Sequence, residues 1–261
     1  MEPPRKPTAT PPPVVPEKRL ALPFVREDDP SIVVDRVSLK RLDCVIESYS
    51  AWPRRVNART PAVVIAMDIW GVDASIRDLV RRFAKAGFIA TAPDLFGRLG
   101  ASAADGLNDP QPRLPYVKQL TRAQCDGDIR AAALWVTTRH PASRLAIVGL
   151  GIGGRMALQQ AEDNDAIFVA AVSWYGPVSG IDPDRIHMPI CGNYGAGDTS
   201  IPVEEVRLFR DGLRVPHDLR IYRTAAHGFF DERRAAYAPA AANDAWPNTI
   251  SFLRRYLVPS R

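Results

Sequence analysis

Cysteine, histidine and long apolar runs are all scarce in this chain. The three cysteines among its 261 residues, Cys44, Cys125 and Cys191, lie far apart. They form neither a CxxC redox pair nor the close spacing of a zinc site. An odd set of thiols without a secretory leader reads as reduced and mostly buried. No metal and no cofactor are therefore expected. No apolar stretch approaches the ~20 residues of a membrane-spanning helix, so no membrane partner is expected either. Pro3, Pro4, Pro7, Pro11, Pro12, Pro13 and Pro16 interrupt any signal-peptide core, and the expected location is the cytoplasm. Charge of one sign is not concentrated. The net charge is +5, but the surplus is scattered in pairs such as Arg54-Arg55, Arg81-Arg82 and Arg254-Arg255. A nucleic-acid binder gathers basic and aromatic residues on one element, so no nucleic-acid partner is expected. The pattern suits a solvated surface with a mild bias toward anionic small molecules. Nothing in it specifies an oligomeric state.

What is present divides at about residue 30. The first 30 residues hold nine of the 24 prolines and little apolar periodicity, the composition of a disordered tail. From Ser31 onward the text reads as one domain. Ile32 to Lys40 and Cys44 to Tyr49 alternate apolar and polar residues, as half-buried antiparallel strands do. Ala62 to Met67 is a continuous apolar run, the mark of a strand covered on both faces. Helices are expected over Asp73–Ala86, Arg122–Thr138, Gly153–Glu162, Val203–Leu213 and Ala241–Leu257. Strands are expected over Phe88–Ala92, Leu145–Val148, Ile167–Trp174, Ile190–Tyr194 and Leu219–Tyr222. A Gly- and Pro-rich loop fills Pro93 to Leu120. Asp73 is the expected N-cap of its helix and Gly87 its terminator. Pro247 either kinks the last helix or marks its first turn. Alternating strand and helix imply an α/β fold, a doubly wound and mostly parallel sheet with an antiparallel start.

Ligand sites in such sheets form beyond the carboxyl ends of the strands. Four strand ends carry informative residues: Asp68, the Gly149–Gly154 turn, Asp198 and His227. The turn Gly149-Leu-Gly-Ile-Gly-Gly154 has the form of a nucleophile elbow between strand and helix, where tight packing demands small residues. An acid and then a histidine follow in α/β-hydrolase order. In that arrangement Asp198 orients His227, the general base. Asp198 could also cap the helix at Val203, though its pairing with His227 favours the orienting role, and Asp68 equally suits a turn residue before the helix at Asp73. The central elbow position is Gly151, which has no side chain to attack an acyl carbon. Cys125 and Cys191 read as buried thiols, not replacement nucleophiles.

Five segments then make the likeness specific: Ile65-Ala-Met-Asp-Ile-Trp-Gly71, Ala92-Pro-Asp-Leu-Phe-Gly-Arg98, Gly149 to Gly154, Tyr194-Gly-Ala-Gly-Asp198, and Ala226-His-Gly-Phe229. Together they resemble the dienelactone hydrolase family of α/β-hydrolases. That resemblance implies a hydrolase of carboxylic esters or lactones, acting on a small-molecule substrate. It implies a cysteine or serine nucleophile at the position of Gly151, and a glutamate touching that nucleophile where Asp68 stands. It implies an oxyanion hole from the amides of Ile69 and Ile152, and an arginine toward a substrate carboxylate at Arg98. The serine and arginine that would follow the histidine are replaced by Gly228 and Asp231. Arg98 reads equally as a solvated loop residue, and Trp70 and Tyr175 either line a pocket or cover the sheet.

Three readings remain open on residues alone. One is an ester or lactone hydrolase with a non-covalent route, in which His227 activates water in the space left empty at Gly151. Another is a pseudo-hydrolase that binds an acyl-type ligand or a protein partner. The last is a dinucleotide-binding protein, because Gly149, Gly151 and Gly154 also spell GxGxxG. The absence of an acid after the next strand weakens it.

Overall fold

A computed structural model describes residues 24–101, 103–140, 144–163 and 166–258. Eight strands form one sheet in the order β1-β2-β4-β3-β5-β6-β7-β8. Their ranges are β1 Ile32–Lys40, β2 Val45–Pro53, β3 Ala62–Ala66, β4 Ile89–Pro93, β5 Leu145–Leu150, β6 Ala170–Trp174, β7 Ile190–Gly195 and β8 His217–Tyr222. The β1–β2 and β2–β4 pairs are antiparallel, and every later pair is parallel. This is an α/β-hydrolase fold.

Apolar content follows position in the sheet. Every residue of β3, β5, β6 and β7 is buried, whereas β1 and β8, at the two edges, bury few of theirs. Six helices accompany the strands: α1 Ala74–Lys85, α2 Leu114–Gln119, α3 Arg122–Arg139, α4 Ile152–Glu162, α5 Val203–Gly212 and α6 Pro239–Leu257. Helices α1 and α6 meet through the rings of Phe83 and Trp246, 4.9 Å apart. Asp73 caps α1 as expected, accepting from the amides of Ser75 and Ile76.

The structure departs from the sequence reading in several places. The Pro93–Leu120 segment is not all loop, since it contains α2 and two short 3-10 turns. Ile167 to Val169 precede β6 instead of belonging to it. Of the two readings of Pro247, the first-turn one fails: it lies within α6, where its missing N–H removes one helical hydrogen bond.

The folded body also reaches back beyond Ser31 to Phe24. Val25 is buried, and its amide donates to Asp78 Oδ1 of α1 at 2.9 Å. Its carbonyl accepts from Arg81 Nε at 2.5 Å. Lys85 pairs with Asp29 at 2.6 Å. The rest of the expected tail, residues 1–23, lies outside the described residues.

Candidate active site

Five consecutive parallel strand ends supply the site: Asp68 after β3, Gly151 after β5, Tyr175 after β6, Asp198 after β7 and His227 beyond β8. The turn at Gly151 has φ +53° and ψ −118°, a conformation that glycine adopts without steric cost. Its amide donates to the Trp174 carbonyl at 3.0 Å, tying the elbow to β6. At Gly153 a Cβ would lie 2.2 Å from the Ala66 carbonyl, so only glycine lets α4 start this close to β3. The elbow backbone is intact. The Ile152 N–H opens α4, where helix geometry leaves it without an intrahelical acceptor.

Asp198 and His227 sit on adjacent loops that the backbone ties together. Ala196 N donates to Tyr222 O at 2.9 Å, and Gly197 N to Ala225 O at 2.9 Å. Across this junction His227 Nδ1 lies 2.8 Å from Asp198 Oδ2. An ionised carboxylate only accepts, so Nδ1 is the donor and Nε2 is left free. The other oxygen, Oδ1, accepts from the amides of Ser200 and Ile201 at 2.8 and 3.0 Å. The capping and histidine-orienting readings of Asp198 therefore coexist, one oxygen serving each. Burial works against a charge on His227, but the Asp198 bond and the charges of Asp198 and Asp68 outweigh it, raising the imidazole pKa above its usual value.

The space beside Gly151 is not empty, contrary to the sequence-based expectation. A Cβ built there would lie 2.0 Å from Asp68 Oδ1 and 2.7 Å from its Cγ. The Asp68 carboxylate thus fills the volume that a nucleophilic side chain would enter. Its Oδ1 accepts from the Ile69 amide at 2.7 Å, so one of the two expected oxyanion donors is already engaged. Desolvation pushes the Asp68 pKa up to about 6, against the opposing charge of His227 and the Ile69 amide.

Asp68, Trp70 and Tyr175 line one narrow cavity, together with Asp231, Glu232 and Arg82. Tyr175 is fully buried, has φ +41° and is the only non-glycine among the described residues with positive φ. Its hydroxyl has no hydrogen-bond partner. Its ring centroid lies 5.2 Å from that of His227. Arg98 is not brought to this cavity. Its guanidinium is held by Asp128 of α3 through bonds of 2.6 and 2.8 Å and by Asp43 of the β1–β2 turn at 3.0 Å, which join the β4 loop to both. Both its oxygen partners and its burial make it a structural pin.

Sequence reasoning missed Arg234. Its Nη2 bonds Asp73 Oδ2 at 2.6 Å and its Nε bonds Asp231 Oδ2 at 2.9 Å, while the guanidinium covers the Trp70 ring at 4.0 Å. Ser75 Oγ also donates to Asp231, at 2.6 Å. The acid that replaces the expected arginine is thus largely neutralised. The Asp231-x-x-Arg234 spacing was the available signal, but its second partner, Asp73, is remote in sequence.

The mixed sheet, antiparallel at its start and parallel thereafter, agrees with the fold of the solved relatives. The profile described as Dienelactone hydrolase family matches residues 46–257. This chain belongs to that family. The "Putative carboxymethylenebutenolidase" of Escherichia coli (strain K12) is 31% identical over 252 residues, covering 91% of this chain and 92% of the relative. A "Probable 2-oxo-3-(5-oxofuran-2-ylidene)propanoate lactonase" of Bradyrhizobium is 31% identical over 223 residues, covering 79% and 88%. Among solved structures, a "Putative Dienelactone Hydrolase from Klebsiella pneumoniae subsp. pneumoniae MGH 78578" superposes with a TM-score of 0.78 at 30% identity, covering 86% of this chain and 99% of that one.

Proposed function

We propose that this member of the dienelactone hydrolase family hydrolyses small carboxylic esters or lactones without an acyl-enzyme intermediate. The observation that carries the reading is the 2.8 Å bond between His227 and Asp198 at the mouth of an intact elbow. An oriented imidazole with a free Nε2 serves no packing purpose on a ring whose side chain is 37% exposed. Gly151 removes the covalent route but leaves the backbone that steers a carbonyl toward α4. Residual catalysis of this kind reaches roughly 10³–10⁴ over water when triad members are removed in serine proteases.

The substrate's acyl portion is neutral on this reading. Asp68, Asp73, Asp231 and Glu232 border the cavity, with only Arg82 and Arg234 against them. The cavity itself has room for about one water, so the acyl group docks at its mouth, where a dianionic lactone would face four carboxylates against two guanidiniums. The reaction needs neither nucleic acid nor membrane, and no helix among the described residues is long and apolar enough to cross a bilayer. A cytoplasmic location fits such a reaction. The test is hydrolysis of para-nitrophenyl acetate and short neutral lactones by the full chain. Turnover that disappears in His227→Ala, with no acylated protein by intact mass spectrometry, is expected. Stoichiometric acylation during turnover would overturn the non-covalent route.

One observation favours a second reading, an acyl-ligand-binding pseudo-hydrolase: the Ile69 amide is closed off by Asp68. Wild-type turnover no greater than that of His227→Ala, with saturable binding of a neutral ester, would select it.

A further inference from the structure

The carboxylate of Asp68 occupies the very place from which the missing nucleophile would act. Two independent contacts define its position. The Ile69 amide fixes Oδ1 at 2.7 Å. The Cα of Gly151 lies beneath it, with the ideal Cβ site only 2.0 Å from Oδ1 and 3.0 Å from Oδ2. The His227 ring stands beside the Tyr175 ring, 5.2 Å between centroids, and Tyr175 shares the cavity wall with Asp68. Oδ2 accepts no hydrogen bond among the described residues. The adjoining cavity, lined by the unpartnered Tyr175 hydroxyl, has room for about one water molecule.

We infer that Asp68 is the catalytic general base, deprotonating a water lodged in this cavity, while His227, oriented through Nδ1 by its 2.8 Å bond to Asp198, is the general acid. This rests on the hydrolase reading above but reverses the role that the family pattern gives the histidine. The water oxygen bonds to the acyl carbon as its proton passes to Asp68 Oδ2. The carbonyl electron pair moves onto oxygen, facing the Ile152 N–H. The tetrahedral species then collapses, the acyl–oxygen bond breaks, and the departing alkoxide takes the proton from His227. Asp68 finally returns its proton to the imidazole. Ester and water give acid and alcohol, and no covalent bond to the protein forms.

Chemistry favours a base over a nucleophile here. Attack by a carboxylate on an ordinary ester would have to expel a poor alkoxide to make a higher-energy anhydride. A carboxylate poised near neutrality is instead an effective proton acceptor. The groups acting on Asp68 are His227, the Ile69 amide, Asp231 and Arg234, with burial as the largest influence. Those acting on His227 are Asp198 and Asp68.

The experiment is a pH–rate profile of kcat/KM with para-nitrophenyl acetate on wild type, Asp68→Asn and Asp68→Ala. A bell is expected for wild type, with an acid limb near pH 6 and a normal solvent deuterium isotope effect. Asp68→Asn should lose on the order of 10²–10⁴ in rate together with the acid limb. Added formate should restore part of the activity of Asp68→Ala, which a purely structural role would not allow. After turnover in heavy-oxygen water, the peptide bearing Asp68 should carry no label. Labelled Asp68 would replace the base with a nucleophile and overturn the assignment. Undiminished turnover in Asp68→Asn would also overturn it while sparing the hydrolase reading. Wild-type turnover no greater than that of His227→Ala would overturn both.

Discussion

The two sides of the cleft have kept different things. On the β7–β8 side both backbone and side chains of an α/β-hydrolase survive: Asp198 bonds His227 at 2.8 Å and is itself anchored by two amides. On the β3–β5 side only the backbone survives. The elbow at Gly151 keeps its positive φ and its bond to Trp174, while the space of the elbow side chain is taken by a carboxylate from the neighbouring strand end. A turn conformation is set by close packing of strand and helix, so it persists whatever the central side chain does. A reacting group needs only its position in space, and the chain can supply it from another element.

The sharpest way to break this comparison is on the β7–β8 side. His227→Ala and Asp198→Asn should each reduce kcat by on the order of 10³, because the imidazole is lost or misoriented. Steady-state kinetics checks this, and equal rates in Asp198→Asn would show the pair to be ornamental. Away from the cleft, Arg98→Ala should cost about 1–3 kcal/mol of stability, because the buried Asp128 loses both Arg98 hydrogen bonds while keeping its pair with Arg41 at 3.1 Å. Denaturant unfolding measures it, and the folded fraction should keep its kcat/KM. A drop in kcat/KM alone would return Arg98 to the site.

The β3–β5 side offers two subtler tests. The Asp68 pKa is raised to about 6, so the folded state holds this proton more tightly than the unfolded chain does. Its ionisation therefore costs stability as pH rises from about 4 through about 6, by up to roughly 3 kcal/mol. Asp68→Asn should be more stable than wild type at pH ~7.5 and lose that advantage at pH ~4; thermal melts at both values check it. Gly151→Ser should destabilise by about 1–3 kcal/mol and gain no activity, because its Cβ meets Asp68 Oδ1 and the backbone there disfavours side chains. Pairing it with Asp68→Ala should restore space and produce an acyl-enzyme burst. A burst from Gly151→Ser alone would mean that Asp68 moves aside freely.

Much of this was legible in the residues. Continuous apolar runs marked β3 and β5, the Asp73 cap marked α1, and motif order placed Asp198 and His227 at neighbouring strand ends. What could not be read depends on side-chain torsions and distant partners. The direction of the Asp68 carboxylate is decided by the Ile69 amide and the glycine beneath it. The fate of Arg98 is decided by Asp128, which faces inward from α3 where an acid gives no apolar signal. Positive φ at Tyr175 left no trace, because tyrosine is not a residue that announces a left-handed turn. The domain's start was misplaced because Phe24 to Pro30 are held by hydrogen bonds and ion pairs, with only Val25 contributing to the core.

That N-terminal strap has a practical consequence for anyone producing the protein in pieces. Asp78, which receives the Val25 amide, also grips Arg82 at 2.6 Å, and Arg82 in turn holds Glu232 on the cavity wall. A fragment begun at Ser31 would strip one ligand from the first carboxylate of this relay. Its far end is the wall of the narrow cavity beside Asp68, so an apparently harmless trimming should be felt there as well as in stability.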